Sequence, residues 1–183
     1  QTGMMSVEPQ TGYVRTWVGG INQRYFQYDH VYRGKRQVGS TFKPIVYATA
    51  IEQGMDPCAY IPNKKVTYES YDNWTPGNSD GEYGGYYTMK GGLTHSVNTV
   101  AANLIMQTGV QPVIDEARKM GVTSKLPAVT SIALGTASIS LLEMVTAYSC
   151  FANRGLRADP KYIVRIESQK GDTLYEDKAA KKT

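Results

Sequence analysis

Two short patterns in this sequence bring together side chains that can do acyl chemistry. The first is Ser40-Thr41-Phe42-Lys43. On a helix, residues three apart share a face, so the Ser40 hydroxyl and the Lys43 amine come within hydrogen-bonding reach. A serine at a helix start also feels the partial positive charge of that terminus, which favours an alkoxide-like transition state. Pro44 supports that placement, because proline is tolerated only in a helix's first turn. Lys43 has to lose its proton to act as a base, and an ordinary lysine leaves on the order of one molecule in a thousand neutral at pH 7. Desolvation or a neighbouring cation would correct that. The second pattern is Ser96-Val97-Asn98. A second hydroxyl can relay a proton, and an Asn amide can both bind a substrate carbonyl and hold a lysine. Each pattern also has a plain structural reading: a solvated helical lysine in one case, a helix cap in the other.

The elements that must position these residues follow from turn chemistry and periodicity. Met4 to Val7 and Tyr13 to Val18 read as strands, joined through Glu8-Pro9-Gln10-Thr11-Gly12 into a hairpin. A helix is expected from about Ser40 to Gln53, with Gly54 as its C-terminal cap. Residues 56–92 are rich in Gly, Pro, Asn, Asp and Tyr and lack helical period. Such a segment lines something or forms short hairpins. Helices are expected again over Asn98 to Thr108, Gln111 to Met120 and Ser140 to Asn153, the last opened by a Ser140/Glu143 capping box. Tyr162 to Glu167 and Thr173 to Tyr175 read as strands around a Lys170-Gly171 turn. Strands at both ends of a helical middle indicate an α+β fold.

At 183 residues the chain fits one domain. Its formal net charge of +4 is spread out, with basic clusters only at Arg33, Lys35 and Arg36 and at Lys178, Lys181 and Lys182. Nucleic-acid binding calls for a denser basic face. No apolar run reaches the ~18 residues of a membrane span, and the first residues lack signal-peptide layout. Cys58 and Cys150 are too few for a disulfide framework, and Cys150 in an apolar helical stretch reads as a small core residue.

Ser-x-x-Lys followed by Ser-x-Asn resembles the penicillin-binding proteins and the related serine β-lactamases. Arg36-Gln37-Val38-Gly39-Ser40-Thr41-Phe42-Lys43-Pro44 is similar to the nucleophile segment of the bifunctional, class A penicillin-binding proteins. Glu8 to Gly12, Val18-Gly19-Gly20, Trp74-Thr75-Pro76-Gly77-Asn78, Ala133-Leu134-Gly135 and Phe151 to Gly155 extend the resemblance over nearly the whole chain. It implies the transpeptidase fold of that family, a helical cluster with flanking sheet strands. It also implies a peptidoglycan D,D-transpeptidase, in which Ser40 attacks the D-Ala-D-Ala carbonyl of a stem peptide and an amine from a neighbouring strand takes the acyl group. Lys43, Ser96 and Asn98 would form the proton network, β-lactams would acylate Ser40, and Trp74 is a candidate groove-lining aromatic or a cover for the core edge. No cofactor or metal is called for by serine acyl transfer. The implied partners are peptidoglycan and other cell-wall synthesis proteins, and the implied setting is outside the cytoplasm, with an anchor supplied by a longer parent chain.

One family element departs from the pattern: no Lys-Thr-Gly or Lys-Ser-Gly occurs, and Lys182-Thr183 lacks the glycine. Residues 1–183 are therefore expected to be an incomplete transpeptidase domain. The same gap supports the alternative of a non-catalytic module that binds stem peptides or β-lactams, or scaffolds wall synthesis. A β-lactamase would need a water-activating base; Glu69 and Asn73 have suggestive spacing but precede Ser96 rather than follow it. The serine-hydrolase pattern Gly77-Asn78-Ser79-Asp80-Gly81 falls in polar, glycine-rich sequence, where a turn is expected. His95 beside Ser96 cannot aim at it along a helix.

Overall fold

The computed structural model describes residues 2–22 and 24–177. Lys178, Lys181, and Lys182-Thr183 therefore lie outside the described residues. In chain order the strands are β1 (Met4–Val7), β2 (Val14–Val18), β3 (Lys35–Gln37), β4 (Ile61–Pro62), β5 (Tyr86–Tyr87), β6 (Ser138–Ser140), β7 (Arg165–Glu167) and β8 (Thr173–Glu176). The α-helices are α1 (Lys43–Glu52), α2 (Met89–Thr94), α3 (Asn98–Thr108), α4 (Val110–Lys119) and α5 (Leu141–Ala152). Short 3₁₀ turns cover Gly39–Phe42, Glu69–Tyr71 and Thr130–Leu134. The mixture of helices and strands is that of an α+β fold. The chain divides into two compact units.

One unit runs from the start of the chain to Lys35, adds Met120–Val122, and resumes at Ser140. Its hairpin pairs β1 and β2 antiparallel, Met4 opposite Val18 and Met5 opposite Trp17. The expected turn closes through Gly12 N–H donating to Glu8 O at 2.8 Å. Gly12 has φ +78°, and a Cβ there would sit 2.1 Å from the Asp159 carbonyl oxygen, so only glycine fits. Helix α5 packs on β1. The predicted capping box is formed: Ser140 Oγ accepts from Glu143 N–H, and Glu143 Oε2 accepts from Ser140 N–H at 2.9 Å. Strands β7 and β8 pair antiparallel, with β7 shorter than the sequence suggests. Cys150 is buried on α5, and no disulfide joins it to the exposed Cys58 of the other unit.

The second unit comprises Arg36–Lys119 and Thr123–Ile139. Its core is α1, α3 and α4, with Ile45, Val46, Val100, Leu104, Ile105 and Val113 among the buried side chains. Burying an aliphatic side chain of this size contributes about 1.5–3 kcal/mol each. Within residues 56–92 the small β4–β5 pair closes a long loop over residues 63–85 and is not the short hairpin expected. Helix α2 was not legible in Met89-Lys90-Gly91-Gly92-Leu93-Thr94, since two glycines in six residues oppose a helix. Its glycine is needed nonetheless. A Cβ on Gly92 would lie 2.7 Å from Val100 on α3 and 2.9 Å from Tyr47 OH on α1, so the three helices cross too closely for any side chain.

Candidate active site

Ser40 does not begin the α-helix itself. It lies in the 3₁₀ turn Gly39–Phe42, which runs directly into α1 at Lys43. In a 3₁₀ turn side chains three apart eclipse, so Ser40 and Lys43 stay on one face. Pro44 falls in the first turn of α1, as expected. The turn is anchored from behind: Gly39 N–H donates to Gly135 O at 2.9 Å and Val38 N–H to Ala137 O at 3.1 Å. Gly135 has φ +75°, and a Cβ there would fall 1.8 Å from the Gly39 carbonyl oxygen. Strands β3 and β6 pair in the same region. Ser40 itself is exposed.

Lys43 is the opposite, with only 1% of its surface exposed. Its Nζ donates to Ser96 O at 2.6 Å, Ser96 Oγ at 2.9 Å and Asn98 Oδ1 at 2.6 Å. These use all three N–H donors of an ammonium, so the direct Ser40–Lys43 hydrogen bond expected from the spacing is replaced by bonds to residues more than fifty positions away. None of the three acceptors is a carboxylate. Burial of an uncompensated cation pulls the Lys43 pKa down from 10.5 to about 8.

Ser96 reaches Lys43 because of how α2 ends. Ser96 N–H donates to Leu93 O at 3.0 Å and Val97 N–H to Gly92 O at 2.8 Å, the bond pair of a Schellman motif. Ser96 occupies the left-handed position of that motif, φ +54°, where glycine is usual. A non-glycine residue there costs about 1–3 kcal/mol, a strain that tends to be kept at functional sites. The result is that both the carbonyl and the hydroxyl of one residue face one amine.

Asn98 opens α3, and its amide bridges two partners: Oδ1 accepts from Lys43, and Nδ2 donates to Gly77 O at 2.8 Å. Ser40, Lys43, Ser96 and Asn98 thus belong to one unit, and the last three are joined by hydrogen bonds. Trp74 stands apart, half-buried and stacked on Tyr68 at 5.7 Å, its strand-like partner across the Glu69–Tyr71 turn. His95 is exposed and faces the Tyr87 ring at 5.9 Å. Gly77–Gly81 is a turn rather than a strand-to-helix elbow, as expected.

Two residues not singled out as site residues from the sequence complete the surroundings: Asn78, which lies in the family-resembling Trp74–Asn78 segment, and Asn63. Asn78 accepts through Oδ1 from the N–H groups of Asn98 and Thr99 at 3.0 and 3.1 Å. The buried Asn63 accepts from Asn78 Nδ2 and from Thr99 Oγ1, both at 2.7 Å.

The family model of the penicillin-binding protein transpeptidase domain matches residues 2–183. This chain belongs to the penicillin-binding protein transpeptidase family. Penicillin-binding protein 1A of Neisseria meningitidis serogroup A is 36% identical over 176 residues, covering 93% of this chain and 22% of that protein. Penicillin-binding protein 1A of Aquifex aeolicus is 32% identical over 177 residues, 95% of this chain and 24% of that protein. The chain therefore spans between a fifth and a quarter of the length of these curated relatives. The crystal structure of penicillin-binding protein 1A from Haemophilus influenzae superposes with a TM-score of 0.89 at 28% identity, over 96% of this chain and 27% of that one. PonA1 of Mycobacterium tuberculosis, solved in complex with penicillin V, superposes with a TM-score of 0.86 at 26% identity, over 95% of this chain and 49% of that one. The transpeptidase fold implied by the sequence motifs is the fold observed.

Proposed function

We propose that this transpeptidase domain cross-links peptidoglycan by serine acyl transfer, with Ser40 as nucleophile. The observation that carries the reading is the buried Lys43 amine, held by Ser96 and Asn98 one turn from an exposed serine. Family membership supports the acyl-transfer chemistry, and the penicillin V complex of PonA1 supports β-lactams as ligands of this fold.

Lys43 has the properties of a usable base. With a pKa of about 8, on the order of a tenth of the molecules carry a neutral amine at pH 7. A neutral amine has two N–H donors and one lone pair. The carbonyl oxygens of Ser96 and Asn98 can take both donors, which directs the lone pair toward the hydroxyls. The Ser40 proton then passes to Lys43 as Oγ attacks the D-Ala-D-Ala carbonyl carbon. The C–N bond breaks, and the departing D-alanine amine takes a proton through the Ser96 hydroxyl, which can both accept and donate. An amine from a second stem peptide attacks the Ser40 ester, loses its proton by the same route in reverse, and restores the free serine. A β-lactam follows the first half only: its ring amide opens, the ring nitrogen takes the proton, and the ester stays on Ser40. Trp74 lines the substrate groove in this reading. Peptidoglycan stem peptides, β-lactams and other wall-synthesis proteins are the partners, and the setting is outside the cytoplasm, through an anchor carried by the parent protein.

The test supplies a stem pentapeptide ending in D-Ala-D-Ala, with an amine acceptor, to the full-length protein that contains this chain. The expected products are free D-alanine and a cross-linked dimer, both abolished in Ser40→Ala. Equal product from wild type and Ser40→Ala would overturn the assignment.

A further inference from the structure

Asn78 touches neither Ser40 nor the Lys43 amine, yet its carboxamide is fully engaged with the residues that hold Lys43. Its Oδ1 accepts from the first two backbone N–H groups of α3, those of Asn98 and Thr99. The first four N–H groups of a helix lack partners within the helix, and the residue before α3, Val97, has no side chain that could cap them. Asn78 supplies that cap from a loop twenty residues earlier. Its Nδ2 donates to Asn63 Oδ1 at 2.7 Å and Glu82 O at 2.8 Å, which fixes which end of the amide faces α3. The preceding residue contributes too, since Gly77 O accepts from Asn98 Nδ2 at 2.8 Å. Residues 77 and 78 therefore grip Asn98 at its backbone and at its side chain. With Nδ2 taken by Gly77, Oδ1 is the end left to face Lys43, and it accepts from Nζ at 2.6 Å.

We propose that Asn78 is a positioning residue for acylation: it fixes the start of α3 so that the Asn98 amide presents its oxygen, and not its nitrogen, to Lys43. The inference rests on the function proposed above. Losing the cap leaves two N–H groups without their acceptor and lets residues 77–78 drift from Asn98. The Asn98 amide can then rotate, and Lys43 loses one acceptor of its ammonium form. Asn78 thus acts through Asn98, and its effect disappears once Asn98 is gone.

The test measures penicillin acylation of the full-length protein against pH for wild type, Asn78→Ala, Asn98→Ala and the double variant, alongside thermal unfolding. Asn78→Ala is expected to slow acylation about 10- to 100-fold and to move the pH midpoint of the rate downward, as loss of an acceptor disfavours the ammonium. A purely structural loss would lower the amount of reactive protein and leave the midpoint in place. In the Asn98→Ala background, the further loss on adding Asn78→Ala should be less than about threefold. Independent, multiplicative losses in the double variant, or an Asn78→Ala profile whose pH midpoint stays at the wild-type value, would overturn the inference alone. Wild-type protein that is not labelled on Ser40 would overturn the function, and this inference with it.

Discussion

Lys43 and Asn98 meet at 2.6 Å, Nζ to Oδ1, and the contact joins the first residue of α1 to the first residue of α3. The same asparagine spends its amide nitrogen on Gly77, so its orientation is set before Lys43 is considered. A buried amine thus faces oxygen acceptors on a fixed frame, without a carboxylate among its hydrogen-bond partners.

Replacing that amide tests the electrostatics of the site. Asn98→Ala should slow penicillin acylation by about 10²–10³, in the range for loss of a positioned polar group at a reacting centre. Asn98→Asp places a carboxylate beside the ammonium, which favours the charged form, so the pH midpoint of acylation should move above that of wild type. Stopped-flow acylation across a pH series distinguishes the two, and a downward shift in Asn98→Asp would contradict the arrangement.

The wild-type profile has a definite sign. Lys43 titrates at about 8, and under the proposed mechanism its neutral amine is the active form, so the acylation rate should rise with pH through about 8 and level above it. A rate that falls over that interval would exclude Lys43 as the base.

Stability should carry the same signature in a window set by the two Lys43 values, about 8 folded and 10.5 as the ordinary value. Between them the unfolded chain binds more protons than the folded one, so the Lys43 contribution to stability rises with pH. Below about 8 the full penalty of burying the cation applies; above 10.5 both states are neutral and it is gone. Lys43→Met removes the titrating group, so its stability relative to wild type should fall as pH rises from about 8 toward 10.5. Urea unfolding of both proteins at each pH checks this, other titrations cancelling in the difference.

Gly135 should tolerate no side chain. A Cβ would lie 1.8 Å from the Gly39 carbonyl oxygen, immediately before Ser40, and the backbone is left-handed at φ +75°. Gly135→Ala is expected to destabilise the protein by on the order of 3 kcal/mol and to slow acylation as the Gly39–Ser40 turn shifts. Equilibrium unfolding with parallel labelling kinetics reads both effects.

What could be read from the sequence was local. Ser140 and Glu143 announce α5 because a capping box is written in adjacent turns, and Pro44 locates the start of α1 because proline excludes other positions. The Ser40/Lys43 pair was legible as a shared face, whereas Ser96 and Asn98, 53 and 55 residues away, were expected beside Lys43 from side-chain chemistry and the family resemblance and not from spacing. Helix α2 was hidden by its two glycines, of which Gly92 is required by the close approach of Tyr47 and Val100 on other helices. Strand β3, Lys35-Arg36-Gln37, is charged and exposed and carries no alternation. Asn63 and Asn78 sit in a segment without period, and polar side chains that bond across a loop leave no spacing to detect.

The proposed mechanism stands on Ser40 as an activated nucleophile with Lys43 as its base. Its most direct test is intact-mass and peptide-mapping spectrometry of the full-length protein after incubation with penicillin, beside Ser40→Ala and Lys43→Met. A mass gain of one penicillin located on Ser40 is expected, absent in Ser40→Ala and slowed by at least about 10³ in Lys43→Met. A penicillin ester on any other residue, or undiminished labelling of either variant, would contradict it.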